Sequence, residues 1–202
     1  MTGYKIVNLD TLLEEEGEEF VLDYLSSFSC PLNPDIEKFI KKTAVTFAKQ
    51  GIAKTHLVMA SYQEEWVLVG YYTLANKYIS IKDKTKGLSK TMKKRIAKFA
   101  VHDSLTKAYH ITAPLIAQIG KNFTNGYNKL ISGDELLKLA CDKIHGIQSD
   151  LGGKIVYLEC EDKPCLIEFY DRNGFCEFDT LALDTDEIDF CGKYLVQMLK
   201  YL

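Results

Sequence analysis

Residues 132–175 read SGDELLKLACDKIHGIQSDLGGKIVYLECEDKPCLIEFYDRNGF, and the order helix, strand, helix in this stretch decides the fold. Ser132 and Glu135 stand at capping-box spacing, so the serine hydroxyl and the glutamate carboxylate can satisfy the first free amides of a helix. Apolar residues then recur at Leu136, Leu137, Ala140, Cys141, Ile144, Ile147 and Leu151, one stripe at helical period. Gly152 and Gly153 end that helix, and residues 154–160 (KIVYLEC) run apolar as a buried strand. Pro164 suits a first helical turn, which needs no N–H there, and Leu166, Ile167, Phe169 and Tyr170 follow on adjacent helical positions before Gly174 stops the helix. Just upstream, residues 122–133 (NFTNGYNKLISG) bring successive backbone amides to a helix N-terminus, a place where a pyrophosphate group binds well. Gly126 and Gly133 let a ligand come close to that backbone.

Outward from this stretch the chain alternates strands and helices. Residues 4–9 predict a first strand, and residues 12–25 carry a helical apolar pattern broken only by Gly17. A second helix is expected from Pro34 to about Gln50, with Ile36, Phe39, Ile40, Thr43, Ala44 and Phe47 on its inner face and Gly51 at its end. Residues 55–60 and 66–75 are rich in β-branched and aromatic side chains and are joined by a hairpin-sized connection, 61–65. A helix over 89–100 and a buried strand over 111–119 follow, and Pro114 inside that strand predicts an irregular or edge position. Residues 175–184 read as a strand. At the C-terminus Leu195, Val196, Met198, Leu199 and Leu202 fit helical spacing as well.

The bulk properties narrow the classes. A chain of 202 residues without an internal linker predicts one domain over 1–202. No apolar stretch is long enough to span a membrane, and the acidic N-terminus does not read as a secretion signal, so a cytoplasmic protein with no membrane partner is expected. The six cysteines form no C-x-x-C pair and mostly lie in apolar runs, which predicts buried, reduced thiols. His56, His102 and His145 have no ligand spacing to acids or cysteines, so no catalytic metal is expected. The net charge of −3 argues against a general nucleic-acid coat, yet Lys82, Lys84, Lys86, Lys90, Lys93, Lys94, Arg95 and Lys98 crowd one segment. That segment reads either as a solvated face or as a phosphate-reading edge.

Pro164, Leu166, Ile167, Phe169, Tyr170, Gly174 and Phe175 match the P-x-L-I-x-F-Y-x-x-x-G-F helix of the GNAT superfamily of N-acetyltransferases, which this chain resembles. Phe28-Ser29-Cys30, Leu32, Phe39, Ala44, Thr55, Val58 and the run Val69-Gly70-Tyr71-Tyr72-Thr73-Leu74 resemble the toxin-type branch, which includes enzymes that acetylate the aminoacyl group of charged tRNA. Read from the residues alone, the Gly-Tyr-Tyr centre is core packing. The resemblance implies an α/β (α+β) GNAT fold, a central mixed, mostly antiparallel sheet with helices on both faces and a final strand pairing with 175–184 around 185–189.

The resemblance also implies an acetyl-CoA-dependent N-acetyltransferase. The backbone of Ile119, Gly120 and Lys121 would pair with the pantetheine arm, and Asn128, Lys129, Leu130, Ile131, Ser132 and Gly133 would take the pyrophosphate. Ile131 stands where the family has glycine, so the backbone there must avoid positive φ, and Gln118 stands where the toxin branch has arginine. Tyr170 matches the family's general acid, a neutral phenol that protonates the departing thiolate. Its other reading is a tyrosine packed on the sheet. Glu159, Glu161 and His110 are the nearest candidates for a base, beside water or an amine already deprotonated. The acceptor is an amine of a small molecule, a protein or aminoacyl-tRNA, and a homodimer is compatible with all three. A GNAT-fold binding or regulatory protein without catalysis is the reading from another class.

Overall fold

The structure is a computed structural model and describes residues 3–85, 87–182 and 194–202. They form two compact units, one of Met1–Ala75 with Ala117–Ala140 and one of Asn76–Ile116 with Cys141–Leu202.

In the first unit, β1 (Tyr4–Asn8) pairs antiparallel with β2 (Lys54–Tyr62), and β2 pairs antiparallel with the first part of β3 (Glu65–Lys82). The β2–β3 loop is two residues, Gln63 and Glu64, both at positive φ (51° and 68°), the backbone that suits a tight hairpin to the twist of its strands. The helical pattern expected from Leu12 begins earlier, because Asn8 caps the amide of Asp10. It gives α1 (Leu9–Glu16) and α2 (Glu18–Ser26), separated at Gly17 with φ of 84°. The expected helix 34–50 is present as α3 (Pro34–Lys38) and α4 (Ala44–Gln50), joined by a π-helical segment, Phe39–Thr43. Just before this segment the Tyr71 hydroxyl donates to the Ile36 carbonyl at 2.7 Å.

Val21, Leu25, Phe28, Ile40, Ala44, Val45 and Ala48 close over Leu57, Met59, Leu68 and Tyr71 to make this unit's core. Tyr71 meets Phe28 edge-on at 5.3 Å and stacks on Phe39 at 6.3 Å, so the Gly-Tyr-Tyr strand centre is packing, as its residues alone suggest. Gly70 faces the other way. A β-carbon there would lie 2.8 Å from the Gly120 carbonyl oxygen and 3.2 Å from a Leu136 methyl, which puts the first turns of α6 (Gly133–Leu151) on the opposite sheet face.

In the second unit, β4 (Val101–Asp103) pairs with the start of β5 (Ala108–Lys121), and β5 pairs in parallel with β6 (Ile155–Glu161) at Leu115↔Tyr157 and Ile116↔Leu158. β8 (Tyr194–Tyr201) lies antiparallel between β6 and β7 (Cys176–Ala182), so the C-terminal segment is a strand. The turn expected at 185–189, like Lys86 and Cys191, lies outside the described residues. Helices α5 (Lys90–Ile96) and α7 (Pro164–Arg172) complete the unit. The full strand order is β1-β2-β3-β5-β6-β8-β7 with β4 on β5, a mixed and mostly antiparallel sheet.

Pro114 takes the irregular one of the two positions expected of it: β5 is internal, and Pro114 falls between His110, which pairs with β4, and Leu115, which pairs with β6, where a missing N–H costs least. The α6 stripe needs correction. The buried stripe of α6 ends at Ile144. Ile147 (41% exposed) and Leu151 (84%) face solvent, while Gln148 turns inward to donate to the Ile155 carbonyl at 2.8 Å. A side-chain hydrogen bond thus replaces apolar packing in the last turn. The thiols of Cys30, Cys141 and Cys160 are buried, but Cys165 is exposed in the first turn of α7.

The Gly70 contact gives a test of this packing. Gly70→Val should destabilise the fold by about 1–3 kcal/mol, the usual cost of overpacking. Urea unfolding should show a lower midpoint with an unchanged slope.

Candidate active site

The first unit brings most of the expected phosphate-loop residues together. Lys121, Asn128, Lys129, Leu130, Ile131 and Ser132 line one open cleft of about 530 Å³, with Tyr4 and Glu135. The chain reaches it through a 3-10 turn, Thr124–Lys129, in which Asn125 and Gly126 take left-handed backbone at φ of 52° and 75°. Gly126 does so freely, and asparagine is among the residues that tolerate it best. The Lys121 ammonium fixes the loop by donating to the carbonyls of Asn128 (2.9 Å) and Ile131 (3.1 Å), and the Tyr4 hydroxyl donates to the Leu130 carbonyl at 3.0 Å.

Ile131 solves its misfit by burial. It sits at 2% exposure with no positive φ, pointing into the unit instead of offering bare backbone. Ile119 and Gly120 sit on β5 beside this loop, and Gly120 is a glycine because Ile36 lies over it: a β-carbon would be 2.2 Å from an Ile36 methyl.

The capping box is formed in full. The Glu135 amide donates to the Ser132 hydroxyl oxygen at 3.1 Å, while Glu135 Oε2 accepts from the Ser132 amide (2.8 Å) and hydroxyl (2.7 Å). Those hydrogen bonds hold the Glu135 carboxyl below its usual value, with the Ser132 amide as the largest cause. A consequence missed at the level of sequence is that a carboxylate occupies the Ser132 amide. An anion entering the cleft meets the Glu135 carboxylate at the start of α6. The signal was present, since a capping box always puts its carboxylate on the helix N-terminus. Tyr4, read only as a strand residue, had no such signal.

In the second unit, α7 begins at Pro164 as expected and ends before Gly174, whose φ is 84°. Leu166, Ile167 and Phe169 are half-buried and Tyr170 is 8% exposed. The Tyr170 ring meets Phe169 edge-on at 5.0 Å and Phe175 at 5.9 Å, and its backbone carbonyl accepts from the amides of Asn173 and Phe175. Burial, with a smaller contribution from Cys160, pushes the phenol well above its ordinary value, so it stays protonated at neutral pH. The Cys160 thiol is likewise pushed up to about 12, first by burial and then by Asp162, Glu161 and Glu177.

The three candidate bases are engaged. Glu159 accepts from Gln197 at 2.8 Å, Glu161 pairs with Lys163, and His110 stacks on Tyr78 at 5.4 Å with its Nε2 3.2 Å from the Thr106 hydroxyl.

The basic segment divides into two sets. Lys93 donates to the carbonyls of Asp83 (2.9 Å) and Thr85 (2.7 Å), Lys82 pairs with Asp179 at 2.9 Å, and the Arg95 guanidinium covers the Tyr201 ring at 5.0 Å. Lys84, Lys90, Lys94 and Lys98 are exposed with no anionic partner among the described residues, the last three one helical turn apart in sequence. Among the described residues no three of His, Cys, Asp and Glu converge as metal ligands, and no helix is long and apolar enough to cross a membrane.

No protein-family model matches the chain, and no curated protein matches it. Solved structures do. A tyrosine-to-phenylalanine variant of KacT superposes with a TM-score of 0.60 at 16% identity, covering 97% of this chain and 94% of the other. AtaT complexed with acetyl-methionyl-tRNAfMet gives 0.59 at 16% identity, covering 96% and 94%. A tyrosine-to-phenylalanine variant of the AtaT toxin, bound to the C-terminus of the antitoxin AtaR and acetyl-CoA, gives 0.56 at 12% identity, covering 98% and 92%. The chain therefore has the GNAT fold over nearly its whole length, the fold that residues 132–175 imply.

The capping box yields a pH-dependent outcome. Because the Glu135 carboxyl is held low in the folded chain, its stabilisation is present above the ordinary carboxylate value of 4.5 and is lost as pH falls through the lowered value. Ser132→Ala should cost about 0.5–2 kcal/mol at neutral pH. Denaturant melts should show that loss shrinking as pH falls through the lowered carboxyl value.

Proposed function

We propose that residues 1–202 form one acetyl-CoA-dependent N-acetyltransferase domain. The observation that carries the reading is a likeness in fold, over nearly the whole chain, to proteins solved with acetyl-CoA and with acetyl-methionyl-tRNAfMet. The local chemistry is consistent with it. The β5 backbone at Ile119, Gly120 and Lys121 offers strand-like hydrogen bonding to the pantetheine amides, and the cleft at Asn128, Lys129, Leu130, Ile131, Ser132 and Gly133 takes the pyrophosphate on the first-turn amides of α6. An amine attacks the thioester carbonyl, the C–N bond forms, and the oxyanion collapses with cleavage of the C–S bond. Tyr170 gives its proton to the leaving sulfur, and the proton lost by the amine goes to water.

Acetyl-CoA should raise the melting temperature of the chain, because a ligand selective for the native state stabilises it by mass action. The shift should be larger for Glu135→Gln, which removes a negative charge from the anion's path. Tyr170→Phe should keep the shift and lower turnover by at least about tenfold. Absence of any shift at millimolar acetyl-CoA would overturn the cofactor assignment, and wild-type turnover by Tyr170→Phe would make the tyrosine structural.

For the acceptor, aminoacyl-tRNA is the class with an observation behind it, the exposed row Lys90, Lys94 and Lys98, which has no anionic partner among the described residues. Retention of tRNA should fall steeply with added salt, since each phosphate contact releases counterions. Changing the three lysines to glutamate should abolish retention and spare the acetyl-CoA shift. Failure to retain tRNA even at low salt would direct the search to a small-molecule or protein amine.

A further inference from the structure

The acidic helix pair α1–α2 carries an aromatic strip that the acetyltransferase reading does not use. Phe20 and Tyr24 are one helical turn apart, with rings parallel within 6° and centroids 6.3 Å apart. Phe20 remains 51% exposed because the place beneath it is taken. Tyr24 turns its hydroxyl inward, 3.7 Å from the Met59 sulfur, and Val21 and Leu25 fill the core side of the helix. The strip continues within the same unit, since Tyr127 lies close enough to Tyr24 to raise its phenol and meets Tyr62 edge-on at 5.9 Å.

The charge around it has one sign. Between Leu9 and Ser26 the chain has aspartates and glutamates but no lysine or arginine. The cations that reach it are Lys54 on Asp10 and Lys49 on Glu18, whereas Glu19 and Asp23, flanking Phe20, have no cationic partner among the described residues.

We infer that this face docks a basic amphipathic helix of a protein partner. Two stacked rings at a one-turn spacing match the apolar stripe of an incoming helix, and the carboxylates beside them match lysines or arginines on its flanks. The same carboxylates repel nucleic acid and anionic lipid, which leaves a cationic polypeptide as the occupant.

Fluorescence anisotropy with the full chain tests this, using a labelled amphipathic helical peptide of leucine and lysine about five turns long, beside its leucine and glutamate counterpart. The lysine peptide should bind at least about tenfold tighter than the glutamate peptide and weaken as salt is added. Phe20→Ser should reduce its affinity by at least about tenfold. The double change Glu19→Lys with Asp23→Lys, both at exposed positions, should do the same with an unchanged circular dichroism spectrum, and it decides the matter should Phe20→Ser misfold. Equal binding of the two peptides, or undiminished binding by the folded variants, overturns the proposal. So does a dimer in sedimentation that Phe20→Ser dissociates, since the occupant would then be a second copy of this chain.

Discussion

The first unit depends on how closely two backbones and one side chain meet at Gly120. Ile36 covers this glycine where any β-carbon would collide, and the Gly120 carbonyl in turn leaves Gly70 no room for one. Neighbouring strands are held about 4.8 Å apart by their hydrogen bonds, so side chains decide how near a helix may come to the sheet. Two glycines remove that spacing at one point. α3 can then lie on β5, and α6 can press Leu136 against β3. The Tyr71 hydroxyl fastens the same contact by bonding to the Ile36 carbonyl, next to the π-helical step in the helix. The loop from β5 to α6 inherits its position from this arrangement, because Asn122 at the end of β5 is tied to Leu68 and Val69 of β3.

Charge is distributed by a different logic. Lysines that look like one basic cluster in sequence serve two ends: Lys93, Lys82 and Arg95 hold loops and an aromatic ring, and Lys90, Lys94 and Lys98 stay in water. An exposed ion pair such as Lys82–Asp179 adds little to stability. Lys93 is different in kind, since it satisfies two backbone carbonyls that the bend after β3 would otherwise leave open. The cluster therefore has fewer free charges than its composition suggests, and any phosphate-reading surface on it is narrower.

How far the sequence could be read depended on whether the deciding interaction was local. The Ser132–Glu135 box, the Pro164 start, the Gly17 break and the Gly174 stop are set by residues within four positions of each other, and all are where their spacing predicts. The end of the α6 stripe was not legible. Ile147 and Leu151 keep helical period, but burial needs something to pack against, and Gln148 makes the last contact through a carbonyl that belongs to β6. Pro114 could be read only as irregular or edge, since which of the two holds depends on where two partner strands end. At the candidate site, six of the nine expected cofactor-binding residues line one cleft because a single loop holds most of them, while Tyr4 joins it only through the pairing of β1 with β2.

In the proposed reaction, the proton chemistry at Tyr170 would follow from what surrounds it. A phenol raised by burial is a weaker acid than one in water, which by itself argues against a donor. A general acid must be matched to the group it protonates, however, and the environment acts on both partners. Cys160, which Tyr170 feels electrostatically, shows what this part of the unit does to a thiol: burial and three nearby carboxylates push it up to about 12. A thiolate that took its proton from Tyr170 in the proposed reaction would lose its hydration in the same way and become a strong base at the moment it forms. Proton transfer from the phenol would then be between groups raised together, and the apolar wall of Phe169 and Phe175 would assist it by excluding the water that would otherwise stabilise the thiolate.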